Sequence, residues 1–139
     1  MAARKAPRIG DAKFSYTDDL TVLDTEIIYP GNMVVLNAST LEASEATAVS
    51  GFVVLGVATT EVDNTDDGET VNFISTAIHG MDKIGTITLD DIGKKAYVEG
   101  AGSVSVSGDP TAKDLAGRIA NVDSSYVWVD FDPAKKDAN

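Results

Sequence analysis

Cysteine is missing from all 139 residues, which removes disulfides and thiolate metal sites from consideration. Lysine and arginine are missing from Phe14 through Asp82, although that stretch holds twelve acids. Histidine and tryptophan each occur once, at His79 and Trp128. The nine aromatic residues are too few and too scattered to build a stacking platform for a sugar. No apolar run is long enough to cross a bilayer; the longest, Phe52 to Ala58, is interrupted by Gly56. The Arg- and Lys-bearing start leads into Ile9-Gly10-Asp11-Ala12-Lys13, where a signal peptide would need its apolar core, so secretion by that route is not expected.

What is present is asymmetric. Four of the eleven basic residues, Arg4, Lys5, Arg8 and Lys13, stand at the front of a chain whose formal charge is −11 and whose pI is about 4.3. An acidic body does not bind nucleic acid, because phosphate contacts need clustered cations. A basic arm on an acidic body suits docking on another macromolecule better than turnover of a substrate. Hydrophobic residues make up 43%, enough for one domain that buries roughly 70% of its unfolded surface.

The pattern along the chain is that of an all-β domain. Residues 1–13 read as a flexible basic arm, 14–132 as a single β domain and 133–139 as a disordered tail after Pro133. Strands are expected at Leu20–Leu23, Glu26–Tyr29 and Met33–Leu36, with Pro30-Gly31 forming a type II turn. The Ala, Ser, Thr and Glu run at 38–50 is one short helical turn or a polar loop. Phe52–Ala58 is continuously apolar and reads as a central strand buried on both faces. Thr70–Ala77 follows, stopped by Gly80, and Ile84–Leu89 and Lys94–Glu99 come next around a turn at Asp90–Gly93. Ser103–Ser107 alternates like a strand with one wet face. Gly108-Asp109-Pro110 turns the chain, and Ala116–Val122 and Tyr126–Phe131 close it around Asp123-Ser124-Ser125. Val127, Val129 and Phe131 should share one face, with Tyr126 and Trp128 on the other. About nine short strands between Gly, Pro, Asp and Asn turns define a sandwich or a barrel.

Motifs for chemistry fall short. His79, placed before Gly80 at a strand end, reads as a loop or surface histidine rather than a catalytic base. Gly100-Ala101-Gly102-Ser103-Val104-Ser105 lacks the third glycine of a dinucleotide loop and reads as a hairpin turn. Gly93-Lys94-Lys95 lacks the first glycine and the hydroxyl of a phosphate loop. Asp63-Asn64-Thr65-Asp66-Asp67-Gly68-Glu69 has the carboxylates of a calcium loop, but Ile74 stands where the bidentate glutamate belongs. A turn that uses Asp and Asn for backbone hydrogen bonds fits it better. The paired acids Asp18-Asp19 and Asp90-Asp91 do not converge, because neighbours on a strand point to opposite faces. No catalytic, cofactor or metal residue is therefore assigned, and no enzyme is expected. A carbohydrate- or calcium-binding β-sandwich used in adhesion is the alternative.

Several segments, in order, carry a resemblance. They are Pro30–Leu36, Gly56-Val57-Ala58, Val62–Thr65 with Gly68-Glu69, Ile87–Lys94 leading to Tyr97-Val98, and Ala116–Ile119 with Val122-Asp123 and Val127–Val129. Together, over residues 26–131, the chain resembles the phage capsid decoration, or cement, proteins. The resemblance implies a small β-tulip or barrel domain that sits as a homotrimer on the outer surface of the virion and binds the major capsid protein. It implies manufacture in the host cytoplasm and no small-molecule substrate, nucleic acid or membrane as partner. On that reading Arg4, Lys5, Arg8 and Ile9 carry the arm's contacts with the capsid by strand addition, and Tyr126 and Trp128 mark a subunit interface.

Overall fold

A computed structural model of the chain describes residues 8–9, 13–66, 68–106 and 112–136. Arg4, Lys5 and the turn expected at Gly108–Pro110 lie outside the described residues. The described chain is nearly all β, as its patterning requires, with thirteen strands where about nine are expected. The first eight are β1 (Arg8–Ile9), β2 (Lys13–Val22), β3 (Ile27–Ile28), β4 (Met33–Asn37), β5 (Glu42–Glu45), β6 (Val53–Ala58), β7 (Val62–Asp63) and β8 (Thr70–Ser75). After them come β9 (Ile78–Lys83), β10 (Lys95–Gly100), β11 (Ser103–Ser105), β12 (Leu115–Val122) and β13 (Val127–Asp130).

Five strands of the first half close a barrel in the order β2-β5-β4-β6-β8. The second half forms a sheet ordered β1-β9-β11-β10-β12-β13, in which β9 also pairs with β13 and so joins the two sides into a ring. β4 belongs to both cores. Met33 and Val35 pack with Val98, Val104, Ile119, Val127 and Val129, while Val34 packs with Val22, Ile28, Ala43 and Ile74. Alternation along a strand sends neighbours to opposite faces, so the continuous apolar run Met33-Val34-Val35 ties the two halves into one body. β6 does the same with a twist in register: Val34 faces Gly56 while Val35 faces Val54, which leaves Leu55 as a bulge. The bulge resets the alternation, so Val54 and Val57, three apart, reach the same core.

The turn at Pro30-Gly31 is type II, with Gly31 at φ 88 and Asn32 N–H donating to Tyr29 O at 3.2 Å. β6 pairs with β4 on one side and β8 on the other, as a central strand must, though Val53 at its start remains 47% exposed.

Five local expectations need correction. Residues 38–50 hold neither helix nor plain loop; β5 pairs antiparallel with β4, because Asn37 Oδ1 accepts from Ser39 and Thr40 N–H and turns the chain back. Gly80 does not stop a strand but lies buried inside β9, directly across from Trp128. Ile84–Leu89 is not a strand: only Ile87 is buried, and Leu89–Asp91 forms a single 3-10 turn whose entry is fixed by Thr88 N–H donating to Asp91 Oδ2 at 2.9 Å. The arm is not free over its whole length, since Arg8–Ile9 adds a strand to the domain's own sheet and Lys13 already opens β2. Strand edges expose backbone donors and acceptors, and a short segment nearby satisfies them. The expected tail begins with order as well: Pro133–Lys136 is one turn of helix, α1, started by the fixed φ of Pro133 and by Asp132 Oδ1, which accepts from Ala134 N–H.

Candidate functional site

The residues singled out from sequence fall on the ring formed by β9 to β13. Val127, Val129 and Phe131 point into the core and are buried, while Tyr126 and Trp128 are half-buried on the outer face. Their rings meet edge to face with centroids 6.0 Å apart. The turn between β12 and β13 positions them. Asp123 Oδ1 accepts from Ser125 N–H at 2.8 Å and Tyr126 N–H at 2.7 Å, and Asp123 Oδ2 accepts from Trp128 Nε1–H at 2.7 Å. Lys83 Nζ donates to Asp123 O at 2.8 Å, which pins the turn to the end of β9. An indole held this way keeps its apolar face available while its polar edge is satisfied.

The indole hydrogen bond, followed by those from Tyr126 and Ser125, holds the Asp123 carboxyl below the usual aspartate range. A depressed pKa means that the stabilisation is present above the unfolded value and is lost as pH falls through the folded one. Trp128 is the sole indole, so its fluorescence is a clean reporter. The emission should titrate with a midpoint below about 3.9, the ordinary aspartate value. The Asp123→Asn protein should show no such step, and a midpoint at or above the ordinary value would refute the assignment.

The arm and the lone histidine meet. Arg8 pairs across from His79 and Ile9 across from Ile78 on the edge of β9. His79 is not the loop or surface residue expected but is 4% exposed, within a strand that pairs on its other side with β13. It shares a 2.9 Å hydrogen bond with Ser75 Oγ, and its ring meets the Phe131 ring edge-on at 6.0 Å. Ser75 is fully buried, so this pair braces the junction between the two halves of the fold, where β8 passes into β9.

Two further groups escaped the sequence reading. The first is a cleft of about 320 Å³ between the segment around β3 and the end of β5, lined by Glu26, Ile27, Tyr29, Glu45 and Thr47 among others. Glu45 follows Ala43 on the inward face of β5 and is 7% exposed. Its Oε2 accepts from Tyr29 N–H at 2.7 Å and from Asn32 Nδ2 at 2.8 Å, and its own N–H donates to Glu26 Oε2 at 2.8 Å. The signal was the alternation Glu42-Ala43-Ser44-Glu45, a strand period hidden among poor strand formers. The second group is Glu99, where Ser105 Oγ donates at 2.5 Å and Lys113 forms a salt bridge. Those two contacts hold the Glu99 carboxyl down against the opposing effect of burial. Ser105 is therefore buried rather than on the wet face expected for its strand.

In the Asp63–Glu69 loop, Asp63 Oδ1 accepts from Thr65 N–H and Asn64 Oδ1 from Glu69 N–H. Asn64 Nδ2 donates to Val22 O at 2.9 Å and Leu23 O at 3.0 Å. The turn uses these side chains for backbone hydrogen bonds. Among the described residues no three His, Asp or Glu side chains come together in an arrangement that could hold a metal ion.

Fold and site together define an all-β protein of two joined barrel-like halves, with an outer aromatic pair and a short N-terminal strand at a sheet edge. A scan of known protein families, of curated proteins and of solved structures finds no match to the chain.

Proposed function

We propose that the chain is a structural virion protein, a capsid decoration protein that binds the outer surface of a phage head and stabilises contacts between major capsid subunits. The observation that carries the reading is the attachment of the N-terminal strand. β1 is held by two residue pairs at the edge of β9, and so short a strand peels at little cost. The body beneath it is rigid, with its apolar strands divided between two cores that share β4. A segment that leaves its own edge can add to the sheet edge of another protein, where backbone hydrogen bonds give affinity. Arg4, Lys5 and Arg8 then steer it toward acidic ground, with Ile9 as its apolar contact. Three arms acting from one homotrimer raise avidity by roughly 10² to 10⁴.

A chain beginning at Lys13 keeps β2 and the Lys13–Ser75 pairing. It should retain the circular dichroism of the full chain yet lose most binding to heads that lack this protein. Binding that survives truncation undiminished would end the assignment of the arm.

A further inference from the structure

The chain's charge is divided between its halves. Phe14 to Ser75, which holds the five strands of the closed barrel apart from Lys13 at the start of β2, carries eleven acids and no base. Residues 76–139 carry ten acids and seven bases, a net of −3, and residues 1–13 carry four bases and one acid. Two copies meeting barrel to barrel would bring their most acidic surfaces together, whereas the nearly balanced half of one copy meets the acidic half of another at a much smaller penalty. Self-association is thereby directed toward a heterologous, head-to-tail contact, which closes into a ring when the rotation permits.

Each half offers a complementary piece. On the nearly balanced half, Lys83 donates to Asp123 O, Lys94 pairs with Asp91, Lys113 pairs with Glu99, and Arg118 Nη1 donates to Gly93 O. Lys95 is exposed and makes no such contact among the described residues. It sits on β10 across from Arg118, which in turn sits across from Asp130 on β13. Lys95 and Asp130 are thus two strands, about 10 Å, apart. Trp128, two residues before Asp130, shares that outer face. On the acidic half, the cleft sets Glu26 and Glu45 beside the apolar walls of Ile27 and Ala46 and the ring of Tyr29. In each carboxylate only Oε2 accepts a hydrogen bond among the described residues, which leaves Oε1 to a cation. A lysine matches this lining, with methylenes for the apolar walls and an ammonium for the carboxylates.

We propose that copies of this chain join head to tail, with Lys95 on the outer face of β10, β12 and β13 seated in the Glu26–Glu45 cleft of the next copy. This rests on the multi-copy part of the proposed function and is independent of shell binding. It names the receiving surface, and it adds Lys95 to the face that carries Tyr126 and Trp128.

The test is made on the purified full chain, without heads. Light scattering at low salt should give a multiple of the 14.5 kDa chain. Lys95→Glu should weaken association by about tenfold or more, and adding Glu26→Lys to it should restore the assembly. Because Glu26 also holds the Glu45 backbone, carbodiimide cross-linking of mixed isotope-labelled and unlabelled wild-type chains gives an independent reading. It should join Lys95 of one copy to Glu26 or Glu45 of another. A chain beginning at Lys13 should assemble equally well, which excludes the basic arm as the cation supplied to the cleft. A wild-type chain that stays single, Lys95→Glu chains that assemble unchanged, or cross-links from Lys95 to other acids would each overturn the proposal. Loss of head binding by an intact assembly would instead count against the capsid reading alone.

Discussion

Replacing Gly56 by alanine is expected to cost about 3 kcal/mol or more, from overpacking and an unfavourable backbone angle together. Gly56 sits at φ 152 in the bulge of β6. An added Cβ there would run into the Ser75 carbonyl oxygen and come within 2.8 Å of Ile74 Cγ2. Neither neighbour can yield cheaply. Ser75 is fully buried and hydrogen-bonded to His79, and Ile74 is a fully buried member of the barrel core. The clash therefore passes into the junction between the two halves. Gly51 serves as the control, since its φ is 107 but nothing lies within 4 Å of an added Cβ. Gly51→Ala should cost only the backbone strain, about 1–2 kcal/mol. Thermal unfolding of the two proteins checks this, and equal losses would show that the contact at Gly56 is unimportant.

Asn64→Ala should be nearly as damaging, about 2–4 kcal/mol, because it strands buried backbone groups instead of merely removing a side chain. Asn64 is 1% exposed and satisfies Val22 O, Leu23 O and Glu69 N–H at once. It fastens the loop before β8 to the end of β2, so its loss should also quicken hydrogen exchange at Glu69. Asn64→Asp restores one acceptor but no donor, and should fall between alanine and the wild type. Asp63→Ala removes only an exposed contact to Thr65 N–H and should change stability by less than about 0.5 kcal/mol. A ranking in which Asp63 outweighs Asn64 would contradict this account of the loop.

These two positions show where the sequence was readable. The loop at 63–69 stood out through its carboxylates, and reading them as turn chemistry matches the geometry. Yet the residue that matters most there is the neutral one. Asn64 and Asp63 are equally good turn residues, and only the packing of the loop against β2 decides which is enclosed. Gly56 was visible as a break in an apolar run, but the need for glycine arises from Ser75, nineteen positions away. Glu45 was hidden for a different reason: its strand is built from Glu, Ala and Ser, and it forms because β4 provides a ladder on one side and β2 on the other.

The strand-rich class, the turns at Pro30-Gly31 and Asp123–Ser125, and the inward set Val127, Val129 and Phe131 follow from local rules. Backbone preference and period-two alternation act over a few residues, so a sequence read in short windows contains them. Closure of the barrels, the enclosure of His79 and the edge taken by Arg8–Ile9 were settled only in three dimensions. Each depends on hydrogen bonds between strands far apart in the chain, and no local pattern specifies which edge meets which.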